Sequence, residues 1–147
     1  MRLASIALAP LVLLAACDGG GGSDDPRVLP EQHLPAPTTP KFTLYVSNQS
    51  FDLSQVDIRV SIDNQLAVTG DFLVEGQHTW VPFELDLAPG SHTLSVSSAD
   101  TNAAITEQFV MDDRKWGVLM FWYYEGGTEP VDPSFSWSVS DEQPAFQ

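Results

Sequence analysis

The stretch of sequence that decides the fold reads Val56-Asp57-Ile58-Arg59-Val60-Ser61-Ile62-Asp63. Apolar and polar residues alternate along it without a break. In an extended strand this puts every aliphatic side chain on one face and every polar side chain on the other. The stretch therefore predicts a strand that lies half in a hydrophobic core and half in water.

The same period of two recurs along the chain on both sides of this stretch. Asp63-Asn64-Gln65 offers a tight turn, because Asn tolerates a positive φ, and an apolar run follows at residues 66–68. Pro89-Gly90 fits the central pair of a type II turn. Further strands are predicted near residues 42–46, 81–87, 92–96, 105–111 and 116–124. The only helical candidate, residues 103–105, is too short.

These patterns predict an all-β fold with about seven to eight short strands and a turn roughly every 8 to 12 residues. Such spacing is typical of a single antiparallel β-sandwich. One strand carries Pro82, which cannot donate to a ladder, so we expect that strand at a sheet edge or with a bulge. Residues 87–94, Leu-Ala-Pro-Gly-Ser-His-Thr-Leu, and the turn at Asp63-Asn64 resemble pieces of small immunoglobulin-like or PEGA-like domains of bacterial surface proteins.

Composition divides the chain into four parts. Residues 1–16 have the layout of a signal peptide, and residues 17–40 are rich in Gly, Pro and acidic residues, as in a flexible, disordered tether. Residues 41–124 form the predicted sandwich. Residues 125–147 return to an acidic Gly/Pro composition, in which the alternating segment 135–139 predicts an additional edge strand.

The N-terminal part ends in Leu14-Ala15-Ala16-Cys17, after an apolar run that follows one positive charge at Arg2. This order is that of a secretory signal. With cysteine at the cleavage position, the tetrapeptide resembles the lipobox of bacterial lipoproteins. The resemblance implies that Cys17 becomes the mature N-terminus, carries a diacylglyceryl thioether, and is usually N-acylated, with palmitate among the expected chains. The alternative is an ordinary signal peptide cut near Ala16, which leaves a soluble protein with one free thiol.

Lipid rather than protein is the expected membrane anchor. The apolar run from Ile6 to Ala16 would span about 16 Å as a helix, short of the roughly 30 Å hydrocarbon core. Two or three acyl chains hold a protein stably at a membrane, whereas one does so marginally. We expect a protein anchored in the bacterial cell envelope and facing the periplasm. In enterobacterial lipoproteins an aspartate after the lipidated cysteine, here Asp18, is associated with the inner membrane; the outer membrane is the alternative.

The charge of the chain limits its partners. Twenty acidic residues stand against six basic ones, for a formal net charge of −14. A field of this sign repels nucleic acid and anionic lipid headgroups and favours cations or basic surfaces. Solubility and spacing from the bilayer explain the same charge without a specific ligand. Nucleic-acid binding is excluded by this reasoning.

The last strand of the predicted sandwich, residues 116–124, is apolar on both of its alternating faces. Such a strand is usually central, with one face in the core and the other covered by a loop or by the tail 125–147. The other interpretation leaves Trp122 and Tyr124, together with Trp80, as an exposed aromatic surface. Aromatic faces stack on sugar rings or accept side chains of a partner.

No sequence motif points to a metal, a cofactor or a catalytic centre. His33, His78 and His92 match no zinc spacing; His33 lies in the predicted tether, and turn or strand-end roles explain His78 and His92. Aspartates near the predicted turns could supply oxygen ligands for Ca²⁺, but without EF-hand spacing. They are Asp52, Asp57, Asp63, Asp71, Asp112 and Asp113. No enzyme motif is present, and a serine with His78 or His92 would be the only raw material for a hydrolase.

Three functional hypotheses follow. The first is a membrane-anchored, non-enzymatic binding or accessory module that presents its sandwich to proteins or glycans of the envelope. The second is an assembly subunit of an envelope complex, docked through its aromatic strand and the segment 135–139. The third is a calcium-dependent adhesin or a hydrolase. The oligomeric state stays open.

Overall fold

A computed structural model describes residues 27–37, 41–74, 79–126 and 128–146 of the chain. This part of the protein is all-β and contains nine strands, which confirms the predicted fold class. One strand more than expected is present, because the first two-residue strand had no signal in the sequence. In chain order the strands are β1 (Glu31–Gln32), β2 (Phe42–Asn48), β3 (Gln55–Ile62), β4 (Gln65–Leu73), β5 (Val81–Leu85), β6 (Gly90–Ser97), β7 (Ala104–Met111), β8 (Lys115–Tyr124) and β9 (Val131–Ser140).

The strands form two sheets that face each other as a sandwich. The five-stranded sheet has the order β1-β4-β3-β6-β7, and the four-stranded sheet has the order β5-β2-β8-β9. All pairs are antiparallel except β2 and β8, which run parallel with Tyr45 opposite Val118. The sandwich is antiparallel, as predicted, apart from this one pair. Parallel neighbours need a long crossover, and here the whole five-stranded sheet except β1 is built between the two strands.

The core is made by the alternating residues that the sequence pattern predicts. Val56, Ile58, Val60 and Ile62 of β3 are each at most 2% exposed. The hairpin that joins β3 to β4 turns at Asp63 and Asn64, both with positive φ. Pairs of positive φ are what a two-residue hairpin with the right twist requires. The largest fully buried side chains are Phe42, Phe72, Phe121, Leu44, Ile58, Leu85, Leu94 and Leu119.

The edges of the sheets explain two features of the sequence. Strand β5, which contains Pro82, is at the edge of the four-stranded sheet, as expected for a strand with a residue that cannot donate. Strand β9 forms the opposite edge and spans residues 131–140, so it contains the predicted segment 135–139. Its Phe135 is buried against Phe121 of β8, with ring centroids 5.4 Å apart.

Residues 27–37 do not behave as the free tether that their composition predicts. Strand β1 pairs with β4, the main-chain N–H of His33 donates to Ala67, and the N–H of Val28 donates to the Asp71 carboxylate. Gly70 of β4 makes the approach possible, since a Cβ there would lie 2.5 Å from Cα of Pro30. The docked segment covers an otherwise open sheet edge.

Several expectations concern residues outside the described ranges. Cys17, Asp18, the signal peptide and His78 all belong to this group. Among the residues that the structure does describe, no helix is long and apolar enough to cross a membrane.

Candidate functional site

Strand β8 lies at the centre of its sheet and divides its side chains between two environments. Gly117, Leu119 and Phe121 point inward and are buried. The alternate residues Trp116, Val118, Met120 and Trp122 are half-buried, and Tyr124 is 36% exposed. None of these five packs against the core cluster. The prediction of a central strand is confirmed, and its second apolar face lies on the outside of the sandwich.

Neighbouring strands extend this outer surface. Tyr45 of β2 lies beside Val118 on one side of β8. On the other side, each outward-pointing β8 residue from Trp116 to Trp122 is paired with a serine of β9. We call the six side chains Tyr45, Trp116, Val118, Met120, Trp122 and Tyr124 the aromatic face. The serine row consists of Ser134, Ser136, Ser138 and Ser140.

Two further aromatic groups lie at the margins of the aromatic face. Phe51, which is 61% exposed, packs edge-on against Tyr124 with centroids 5.5 Å apart. At the other margin, the ring of Phe146 lies almost parallel to Trp80, with a centroid distance of 4.3 Å and an interplanar angle of 16°. Phe146 also meets Tyr45 edge-on at 4.8 Å. Of the three contact residues that the sequence suggests, Trp80 and Trp122 are thus half-buried and Tyr124 is partly exposed.

Part of the tail covers the aromatic face. Ser140 pairs with Trp116 on one side of β8, and Phe146 contacts Tyr45 on the other side. Since β8 lies between β9 and β2, residues 141–146 reach from one side of β8 to the other, where the Phe146 ring contacts the outward-pointing Tyr45. A cover supplied by the tail was one expectation from the sequence. The cover extends over one end of the face, because Phe51 rather than the tail flanks Tyr124 at the other end.

Two basic side chains lie near the Trp116 end of the aromatic face. The guanidinium of Arg114 lies 4.9 Å from the centre of the Trp116 ring, in a cation–π contact. The ammonium of Lys115 donates to the carboxylates of Asp112 and Asp141. Hydrogen bonding to Asp112 is the main reason that the pKa of Lys115 is raised, and the same bond lowers the pKa of Asp112. The polar groups of the face itself are neutral hydroxyl and indole groups, such as Trp122 Nε1, which donates to Ser136 Oγ at 2.9 Å.

His92 holds turns together at one end of the sandwich. Its Nδ1 lies 2.6 Å from Oδ2 of Asp63, and its Nε2 lies 2.8 Å from the carbonyl oxygen of Ala88. Burial alone would lower the pKa of His92, but the bonds to Ala88 and Asp63 outweigh it and raise the pKa. Two acceptors around one ring favour the imidazolium, which donates from both nitrogens. This geometry agrees with a turn-bonding role. His33 is exposed beside β1.

The aspartates that could have supplied oxygen ligands for Ca²⁺ are each engaged within the protein. Asp57, for instance, accepts hydrogen bonds from the Ser98 hydroxyl and from the main-chain N–H groups of Ala99 and Asp100, which closes the loop after β6. Within the described ranges no three His, Cys, Asp or Glu side chains are grouped so that they could hold a metal ion. Each of the other five aspartates also has a partner: the N–H of Glu125 for Asp52, the His92 ring for Asp63, the N–H of Val28 for Asp71, Lys115 for Asp112 and the N–H of Arg114 for Asp113.

Comparison with known proteins adds no functional assignment. No protein-family model, no curated protein and no solved structure matches the chain. The candidate site therefore depends on geometry. Sequence reasoning identified Trp80, Trp122 and Tyr124, but it missed Tyr45, Phe51 and Phe146 as members or neighbours of the surface. Tyr45 could have been found, because it is the outward-pointing residue between Leu44 and Val46 in an alternating strand.

Proposed function

We propose that the protein is a lipid-anchored, non-enzymatic binding module of the bacterial cell envelope, and that the aromatic face binds a neutral glycan. The observation that carries this proposal is the outer row of β8. From Trp116 to Tyr124, every second side chain is large and apolar, although the row lies outside the core. Contiguous apolar surface of this kind, bordered by polar groups, is typical of interaction sites.

A glycan accounts for the composition of the face better than a protein partner does. Sugar rings present C–H groups that stack on aromatic rings, and hydroxyls that need hydrogen-bond partners. The aromatic face supplies the first contact, and the serine row along β9 supplies donors and acceptors directly beside it. At about 3.3 Å per residue, the row from Trp116 to Tyr124 is about 26 Å long, which suits an extended chain of several sugar units.

The acidic character of the protein favours a neutral glycan over an anionic one. The formal net charge is −14, Lys115 is already paired with two carboxylates, and Arg114 contributes one positive charge beside Trp116. A carboxylated or phosphorylated polymer would be repelled over the whole approach, most strongly at low salt.

The anchor part of the proposal is supported by the lipobox-like sequence that ends at Cys17. We expect the intact protein, expressed in a bacterium, to partition into detergent and to have the mass of a triacylated chain. Cys17→Ala should move it to the aqueous fraction at its unmodified mass, because the apolar run before Cys17 is too short for a comfortable span. A Cys17→Ala variant that still partitions wholly with membranes contradicts the lipid anchor.

The segment 135–139 supports the assembly hypothesis less than its sequence suggested. Phe135 is buried, and Trp137 packs against Phe42 and Phe109 inside the sandwich. These side chains are therefore used within the fold rather than free to dock into a partner.

The direct test of the proposed function is calorimetric titration of the full-length protein with oligosaccharides. The ligands are cellohexaose and chitohexaose, with polygalacturonate as an anionic comparison. Trp122→Ala should weaken binding of the neutral oligosaccharides roughly 5- to 10-fold, since one aromatic contact is worth about 1 kcal/mol beyond burial. Val110→Ala, at an exposed position on the other sheet, is the matched control and should leave affinity unchanged. Binding that is equal in Trp122→Ala and wild type contradicts the proposal, as does preference for polygalacturonate.

A further inference from the structure

We infer that Phe146 occupies the place of a sugar ring, and that residues 141–146 form a displaceable cover that competes with the glycan for one end of the aromatic face. This inference deepens the proposed function and depends on it. It assigns a ring-binding position to the corner between Trp80 and Tyr45.

The geometry of that corner defines what fits there. One wall is the flat face of Trp80, on which the Phe146 ring lies at 4.3 Å and 16°. The second wall is Tyr45, which meets the same ring edge-on at 72°. A six-membered ring is thereby held on one face and at one edge. A hexopyranose has the same ring size, and its axial C–H groups can contact the indole in the way that the phenyl ring does.

The cover is attached at its two ends and open to solvent between them. At its beginning, Asp141 pairs with Lys115, and the N–H of Glu142 donates to the Ser140 hydroxyl. At its far end, Phe146 makes the aromatic contacts but stays 38% exposed. Of the residues between, Gln143 and Ala145 are exposed and Pro144 is half-buried. A segment held by so few buried contacts opens at a small free-energy cost.

Competition follows from the shared position. The Phe146 ring and a sugar ring cannot lie on the same face of Trp80 together, so the ligand binds fully only when the cover is open. The apparent affinity is then reduced by the fraction of molecules that are open. Trp80 serves both states, because it holds the cover when the site is empty and the sugar when the site is filled.

Calorimetric titration of full-length variants with cellohexaose and chitohexaose tests the inference. Phe146→Ala should bind about fivefold more tightly than wild type, since it removes the contacts of Phe146 with Trp80 and Tyr45 from the closed state. Phe146→Trp retains a ring and should show no such gain. Gln143→Ala, at an exposed position of the same segment, is the control for changes in the tail and should bind like wild type. Trp80→Ala should lack the gain of Phe146→Ala, because it releases the cover but also removes the stacking surface of the sugar.

The outcomes separate this inference from the proposed function. If Phe146→Ala binds like wild type while Trp122→Ala weakens binding, the aromatic face binds glycan but the tail is not a competing cover. If Phe146→Ala binds more weakly than wild type, Phe146 belongs to the ligand contact surface, and the inference is overturned. If neither wild type nor Phe146→Ala binds either oligosaccharide, the proposed function and the inference fail together.

Discussion

The substitution Gly117→Ala tests how tightly the tail strand β9 is built into the core. Gly117 lies on the inward face of β8, diagonally across from Trp137 of β9. A Cβ at this position would lie 2.5 Å from Cη2 of Trp137 and 2.7 Å from Cζ of Phe42. Carbon atoms pack best at about 3.5 to 4.0 Å, so at least one large ring must move by about 1 Å.

Two opposing effects set how much stability Gly117→Ala is expected to lose. Replacing Gly by Ala in a strand is favourable by about 0.5 to 1 kcal/mol when there is room, because the unfolded chain has less freedom to lose. Forcing a methyl group into a packed core costs about 1 to 3 kcal/mol. We expect a net destabilisation of about 1 to 2 kcal/mol, or roughly 5 to 10 °C in Tm for a domain of this size.

Urea denaturation followed by circular dichroism measures this change, and a double-mutant cycle shows its origin. Trp137→Leu should be less destabilising in the Gly117→Ala protein than in wild type, because the smaller side chain leaves room for the added methyl group. The coupling should exceed about 0.5 kcal/mol. If Gly117→Ala is as stable as wild type or more stable, the packing of β9 over Gly117 is wrong.

Three further predictions concern the contacts that hold the loops and edges. Folding lowers the pKa of Asp63 from its ordinary value of 3.8 and raises the pKa of His92 from its ordinary value of 6.5. The His92–Asp63 pair therefore stabilises the fold most between pH 3.8 and pH 6.5. The Tm difference between wild type and His92→Gln should therefore shrink as pH rises through neutrality, and a constant difference up to about pH 9 contradicts the ion pair. Asp57→Ala leaves three donors of the loop after β6 without their acceptor, and it should lower the free energy of unfolding by about 1 to 3 kcal/mol in urea denaturation; a change below about 0.5 kcal/mol contradicts this role. Gly70→Ala should release residues 27–37 to protease, because Gly70 has φ of +147° and contacts the backbone of Pro30; unchanged protection speaks against the docking of β1.

The sequence predicted the fold class well because burial in a two-layer sandwich depends on alternation, and alternation is local. The buried residues of β3 and the edge position of Pro82 follow from side-chain period and from proline chemistry alone. The pairing of strands does not. The parallel β2–β8 pair joins segments more than sixty residues apart, and no local pattern states which distant strand is the neighbour.

The candidate site was predictable in part for the same reason. Residues 116–124 are apolar on both alternating faces, which predicted a second apolar surface containing Trp122 and Tyr124. The position of Phe146 was not predictable, because a single aromatic residue in a Pro-containing acidic segment has no periodicity. Its role depends on the corner between Tyr45 and Trp80, which exists only after β2 and the start of β5 have paired.

The four tryptophans allow one measurement to test the central claim, that the outer aromatic face binds a neutral glycan. Indole N–H signals of Trp80, Trp116, Trp122 and Trp137 are followed by NMR while cellohexaose or chitohexaose is added. The first three lie on or beside the aromatic face, whereas the half-buried Trp137 packs against Phe42 and Phe109 on the inner side of the sheet. The account predicts saturable shifts for Trp80, Trp116 and Trp122 with little change at Trp137. Shifts confined to Trp137, or no saturable shift at the three outer tryptophans, would contradict it.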